Sequence, residues 1–69
     1  MPTGREWIAT YTEDLGAEPL DDVAIDTILE IAGVAAHASE RIAAPVACYL
    51  AGRMGIDLQD ALARARELA

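Results

Sequence analysis

Apolar residues recur at intervals of three and four along the chain, and Gly and Pro residues interrupt this pattern at a few positions. The spacing is that of one face of an α-helix, and no segment shows the strict alternation of a half-buried strand. The pattern predicts helices over residues 4–15, 21–38, 45–54 and 57–68. We therefore expect a single all-α domain over residues 1–69, folded as a small four-helix bundle.

Residues at the predicted helix starts support these boundaries. Thr3 followed by Glu6 matches a capping box, in which each side chain accepts a hydrogen bond from the other residue's backbone N–H. Asp57 precedes the last helix, where a carboxylate stabilises the first turn. Pro45 suits the first turn of the third helix, because a proline there removes no helical hydrogen bond. Its ring also predicts a corner near residues 42–44.

The second predicted helix is apolar on several sides, so we expect it at the centre of the bundle. Asp26 and Glu30 mark its edge towards water. The fourth predicted helix repeats apolar residues at the i, i+3, i+4, i+7 positions that share one helix face. The predicted core consists of Ile25, Ile28, Leu29, Ala32, Leu50 and Leu62.

The third predicted helix has two different apolar sides. Val46, Tyr49 and Leu50 form a stripe of large side chains, which we expect to face the bundle. On the other side, small residues recur every four positions and would let a second backbone approach closely. This small side is the predicted interface with a partner, and the alternative is that the first or fourth helix covers it. The predicted interface residues are Ala44, Cys48 and Gly52.

The length and composition of the chain favour association with a partner. The chain has 69 residues, 54% of them hydrophobic, with one Cys and one His. A domain of this size buries only about 60% of the surface that its unfolded chain exposes. Neither a disulfide nor a four-ligand zinc site can add stability, and we expect no cofactor. Regular helix packing or a partner chain would compensate. A protein partner or self-association as a homodimer is therefore expected.

The net charge argues against nucleic acid and membrane lipid as partners. The net charge of −7 disfavours binding to nucleic acid or to an anionic membrane surface. Carboxylates are concentrated in residues 1–40, which could orient the domain towards a basic partner. The N-terminus does not resemble a signal peptide, and no apolar run reaches the length of about 18 residues that a membrane span requires. We expect a soluble, cytoplasmic protein.

No set of residues predicts catalysis. The segment 15–23 is similar to part of an acyl carrier protein, but Pro19 stands where the carrier needs a serine. Cys48 and His37 could form a nucleophile and a base, although no third group or oxyanion site accompanies them. A packing role for the thiol is the preferred interpretation. We therefore expect a non-enzymatic interaction or accessory module.

A small-molecule site is the alternative hypothesis. His37 and Arg41 lie near the predicted corner and could hold a polar ligand. Such a site requires a concave pocket lined by both side chains.

One part of the chain also carries a resemblance. In the segment 37–52, four short elements follow one another: His37, Arg41, Ala43-Ala44-Pro45 and Leu50-Ala51-Gly52. With the helices before it, this segment resembles a small actinobacterial domain family of unknown function, found alone or appended to molybdenum-cofactor guanylyltransferases. Ile42 departs from the family pattern, in which proline is more usual. The resemblance implies a helper role near molybdenum-cofactor maturation.

Overall fold

The computed structural model describes all residues from 1 to 69 and contains four helices and no strand. They are α1 (Gly4–Leu15), α2 (Asp22–Ala38), α3 (Ala43–Met54) and α4 (Leu58–Leu68). The predicted all-α fold is confirmed. None of the four helices combines the length and the hydropathy that a membrane span needs.

The predicted caps form as the local sequence requires. At the start of α1, the Glu6 N–H donates to Thr3 Oγ1 at 3.1 Å and the Thr3 N–H donates to Glu6 Oε1 at 2.8 Å. The hydrogen bonds that the Glu6 carboxylate accepts from Thr3, above all the one from the backbone N–H, hold the pKa of Glu6 below its ordinary value, because they favour the charged form. Asp21 accepts from the Ala24 N–H at the start of α2, and Asp57 accepts from two N–H groups of α4. Local side chains therefore satisfy donors that begin three of the helices.

The start of α3 differs slightly from the prediction. The helix begins at Ala43, two residues earlier than expected, so Pro45 is its third residue. A proline is accommodated there because the N–H groups of the first turn have no partner within the helix. The corner itself lies at Arg41 and Ile42, which form a turn.

Helix α2 is the centre of the fold, and both α3 and α4 pack against it. The buried core consists of Ile31 on α2 with Ala61 and Leu62 on α4. Thr27 is the only buried polar residue, and its Oγ1 donates to the Val23 carbonyl at 2.8 Å and accepts from Gln59 Nε2 at 3.0 Å.

The prediction is wrong for two of the core residues. Leu62 is buried, whereas Leu29 and Leu50 are 57% and 51% exposed. Leu29 precedes the buried Ile31 by two residues, which is more than half a helical turn, so the two side chains point to opposite sides of α2. The spacing of apolar residues could not show which side of α2 is covered, because α2 is apolar on both sides. The other three predicted core residues, Ile25, Ile28 and Ala32, are partly buried.

Helix α1 adds no residue to the buried core. Exposed ion pairs join it to α2: the Arg5 guanidinium lies 3.2 Å from an Asp22 carboxylate oxygen and 2.6 Å from one of Asp26. Trp7 and Tyr11 stack on each other at 5.1 Å between ring centroids, and both remain about half exposed. The aromatic residues of α1 therefore stabilise their own helix surface rather than the core.

Candidate interaction surface

Helix α3 carries two apolar stripes on opposite sides, and each follows the spacing of one helix face. Large residues occupy the i, i+4, i+7 and i+8 positions from residue 42, and small residues occupy the i, i+3, i+4 and i+7 positions from residue 44. We call the first set the outer face; it consists of Ile42, Val46, Tyr49 and Leu50. We call the second set the inner face; it consists of Ala44, Ala47, Cys48 and Ala51.

The inner face lies towards α2. All four of its residues are partly buried, and Ala47, Cys48 and Ala51 pack against the core of Ile31, Ala61 and Leu62. The Cys48 thiol lies 3.6 Å from the carbonyl oxygen of Ile28, within reach of a weak S–H donor. Small side chains allow this close approach of the two backbones. The expectation that the large stripe faces the bundle is therefore wrong.

The outer face is open to solvent. Ile42 is 74% exposed and Tyr49 65% exposed, and Val46 and Leu50 are exposed to a similar degree. Met54 at the end of α3 is exposed as well. An apolar side chain exposed alone is ordinary, but four on one helix face form a patch of the kind found at interaction sites.

The charges around the outer face are unusual for this chain. Helix α3 contains no carboxylate, although Asp or Glu occurs in each of the other three helices. The charged groups nearest to the outer face in sequence are Arg53 within α3, and Glu40 and Arg41 just before it. The apolar patch is thus located on the least acidic part of a protein with a net charge of −7.

The three predicted interface residues do not share one environment. Ala44 and Cys48 are partly buried on the inner face, whereas Gly52 is exposed, and a Cβ added there would meet nothing within 4 Å. Burial raises the pKa of the Cys48 thiol, because the surrounding protein disfavours the thiolate. Part of the predicted interface is therefore used for packing within the chain, and only Gly52 is freely accessible.

His37 and Arg41 are both exposed, but no single hollow is lined by both side chains. The His37 Nδ1 lies 2.7 Å from the carbonyl oxygen of Gly33, one turn earlier in α2. The ring is thereby tied to its own helix. His37 and Arg41 share no pocket, so a ligand site at these two residues stays a prediction.

The structure contains a hollow that the sequence pattern did not predict. Helix α1, the 17–20 segment and the start of α2 enclose a hollow of about 330 Å³. Its apolar lining includes Ile8, Leu20 and Ile25, with Arg5 and Glu13 among its polar residues. Arg5 is already paired with Asp22 and Asp26, so this hollow offers few free polar groups for a ligand. No group of three or more His, Cys, Asp or Glu side chains is placed to hold a metal ion.

Comparison with known proteins identifies the family of this chain. No curated protein and no solved structure matches the chain. A family described as a domain of unknown function, DUF6457, matches residues 1–69. The expectation of a family of unknown function is thereby confirmed, and the match covers the whole chain. With an all-α fold and the family match over its whole length, the chain belongs to the DUF6457 family of domains of unknown function.

Proposed function

We propose that this domain is a non-enzymatic interaction module that binds a protein partner through the outer face of α3. The observation that carries the proposal is the exposure of Val46, Tyr49 and Leu50 on one side of α3, together with that of Ile42, the residue just before the helix. Complete burial of a fully exposed side chain of this size contributes about 1.5–3 kcal/mol, and these four are already partly covered, so a partner gains roughly half to three quarters of that at each position.

The composition of the patch supports a protein partner. The cores of protein interfaces are depleted in charged residues and enriched in aromatic residues and Met. Tyrosine is also frequent among the side chains that dominate binding energy. The outer face contains Tyr49, has Met54 beside it at the helix end, and lies on the helix that lacks carboxylates.

The state of the candidate catalytic groups supports a non-enzymatic role. A nucleophilic cysteine requires a lowered pKa, whereas burial raises the pKa of Cys48. The Cys48 thiol faces the Ile28 carbonyl, and His37 contacts the Gly33 carbonyl instead of the thiol. Neither side chain is arranged to activate the other.

Photo-crosslinking in the native host tests the proposal. A photoreactive phenylalanine analogue replaces Tyr49 in one chain, and Arg64, an exposed residue of α4, in a matched control. We expect a specific protein adduct from position 49 and none from position 64. Adducts from both positions, or from neither, contradict binding through the outer face.

The family resemblance suggests which partner to test first, namely a molybdenum-cofactor guanylyltransferase. Purified enzyme from the same host is titrated onto the wild-type domain and onto the Leu50→Asp variant. Because the variant places a charge in the apolar patch, an enzyme that is the partner should bind the wild type and bind the variant at least about tenfold more weakly. Absence of binding to the wild type removes this link to cofactor maturation, while the crosslinking experiment still identifies the partner.

A further inference from the structure

We propose that the partner covering the outer face is a second copy of this chain, which docks its own outer face in a two-fold symmetric dimer. The inference rests on the proposed function, since it names the occupant of the same surface. Three observations support a second copy: the extent of the uncovered surface, the small core, and the distribution of charge.

The accessible surface is larger than a folded monomer of this mass normally has. The chain exposes 5511 Å² for a mass of 7.3 kDa. The usual scaling for folded monomers gives about 4,200 Å² at this mass, which leaves an excess of about 1,300 Å². A stable dimer of standard size buries about 800 Å² on each partner. This excess belongs to the chain as a whole, and it is larger than the area that one copy contributes to such a dimer; the outer face supplies four of the exposed large apolar side chains.

The core is correspondingly small. Only four of the 69 residues are buried, and three of these are apolar. Below roughly 70–80 residues a single core rarely supplies more than about 3–5 kcal/mol, and oligomerisation is one of the usual ways to add burial. A partner that supplies this burial must be present whenever the chain folds, and a second copy is always available. The size of the core therefore favours a copy of the chain over a foreign protein.

Charge determines which side two copies can share. Each copy has a net charge of −7, so contacts through the acidic helices α1 and α2 would bring carboxylates together. Helix α3 has no carboxylate and places Arg53 near its end. A two-fold interface uses the same patch on both copies, and an apolar patch is complementary to itself. Contact between the two outer faces keeps most carboxylates at the periphery.

Sedimentation equilibrium over a range of concentrations and salt tests the proposal. We expect the mass to double from 7.3 kDa as concentration rises. Salt screens the repulsion between two acidic copies, so the dimer should become tighter as NaCl is raised. Weaker association at high salt overturns the proposed contact, because it indicates attraction between opposite charges. A mass of 7.3 kDa up to about 1 mM protein at high salt excludes the dimer.

Two matched variants locate the interface. Leu50→Asp places a carboxylate in the outer face, and Leu68→Asp makes the same change at an exposed leucine of α4. We expect Leu50→Asp to weaken the dimer about tenfold to a hundredfold, with little change for Leu68→Asp. Equal effects in both variants, or none in either, overturn the assignment to α3.

Chemical crosslinking gives an answer even if Leu50→Asp does not fold. In a Cys48→Ser background, Val46→Cys and Leu68→Cys each introduce one accessible thiol, and a short bismaleimide joins thiols of neighbouring copies. We expect covalent dimers from Val46→Cys and few from Leu68→Cys, whereas the reverse ratio contradicts the interface. A monomeric wild type that still gives an adduct with another protein from position 49 refutes the dimer and leaves the interaction function intact. If position 49 gives no adduct and the wild type forms no dimer, both the dimer and the interaction function are refuted.

Discussion

The Cys48 thiol lies 3.6 Å from the carbonyl oxygen of Ile28, which places the small side of α3 directly against α2. At this position a larger side chain would separate the two helices. The contact thereby leaves the large apolar residues of α3 on the outside. The packing of one small residue and the exposure of Tyr49 and its neighbours are two consequences of one helix orientation.

Cys48 should react slowly with a bulky maleimide and tolerate replacement by Ala. Its thiol is partly buried, and burial raises its pKa, so less thiolate is present than in a free thiol at the same pH. We expect alkylation of the native protein to be slower than that of the urea-unfolded chain, with the reactive form appearing at higher pH. Cys48→Ala should change the free energy of unfolding by less than about 1.5 kcal/mol. Equal alkylation rates for native and unfolded protein would place Cys48 on the surface.

Leu62 and Leu29 should differ strongly when each is replaced by Ala. Leu62 is 3% exposed within the core, and truncation of a buried leucine costs about 2–5 kcal/mol. Leu29 is 57% exposed in the single chain, so its truncation should cost under about 1 kcal/mol. Urea unfolding followed by circular dichroism measures both. A large cost for Leu29→Ala at a protein concentration that keeps the chain monomeric would show that α2 is covered on its second side.

Thr27→Val should destabilise the domain more than Thr10→Val. The buried Thr27 hydroxyl connects the Val23 carbonyl to the Gln59 side chain, and valine retains its shape but not its hydrogen bonds. We expect a cost of about 0.5–1.5 kcal/mol. Thr10 is the matched control, because its hydroxyl donates to the Glu6 carbonyl on an exposed surface. Equal unfolding free energies for the two variants would contradict a structural role for the link to Gln59.

Gly52 and Gly55 should respond in opposite directions to replacement by Ala. Gly52 lies inside α3 with open space around it, so Ala should stabilise the helix by about 0.8–1 kcal/mol. Gly55 ends the same helix at φ +66°, a left-handed conformation that disfavours Ala. Thermal unfolding of the two variants provides the comparison. A loss of stability in Gly52→Ala that grows with protein concentration would indicate that a second chain packs against Gly52.

The N-terminal capping box should weaken at acid pH. The hydrogen bonds from Thr3 lower the pKa of Glu6 in the folded protein, so their contribution is present above the pKa of the unfolded chain. It is lost as pH falls through the lower, folded pKa. The NMR resonance of the Thr3 amide should follow this titration, and the step should disappear in Glu6→Gln. A Glu6 that titrates at the ordinary glutamate pKa would show that the box does not form.

The four helices and most of their ends follow from local features of the chain. Thr3 and Asp57 cap the starts of α1 and α4, and Gly16 and Gly55 end α1 and α3 in a left-handed conformation. Each acts within one or two turns of chain, so its effect can be predicted without knowledge of the fold. The same local chemistry accounts for the correct prediction of four helices. It also identified α3 as the helix with two distinct apolar sides, which is the basis of the candidate site.

Which sides of the helices are covered depends on how the helices pack together. Both stripes of α3 have helical spacing, and so do both apolar sides of α2, so periodicity cannot rank them. The choice depends on contact between helices: the small side of α3 lets Cys48 reach the α2 backbone, and Ile31 rather than Leu29 meets Leu62. Close packing between helices requires complementary shapes as well as apolar side chains. The shape that a helix face must fit is defined only when the second helix lies against it, so the spacing of apolar residues in one helix does not reveal it.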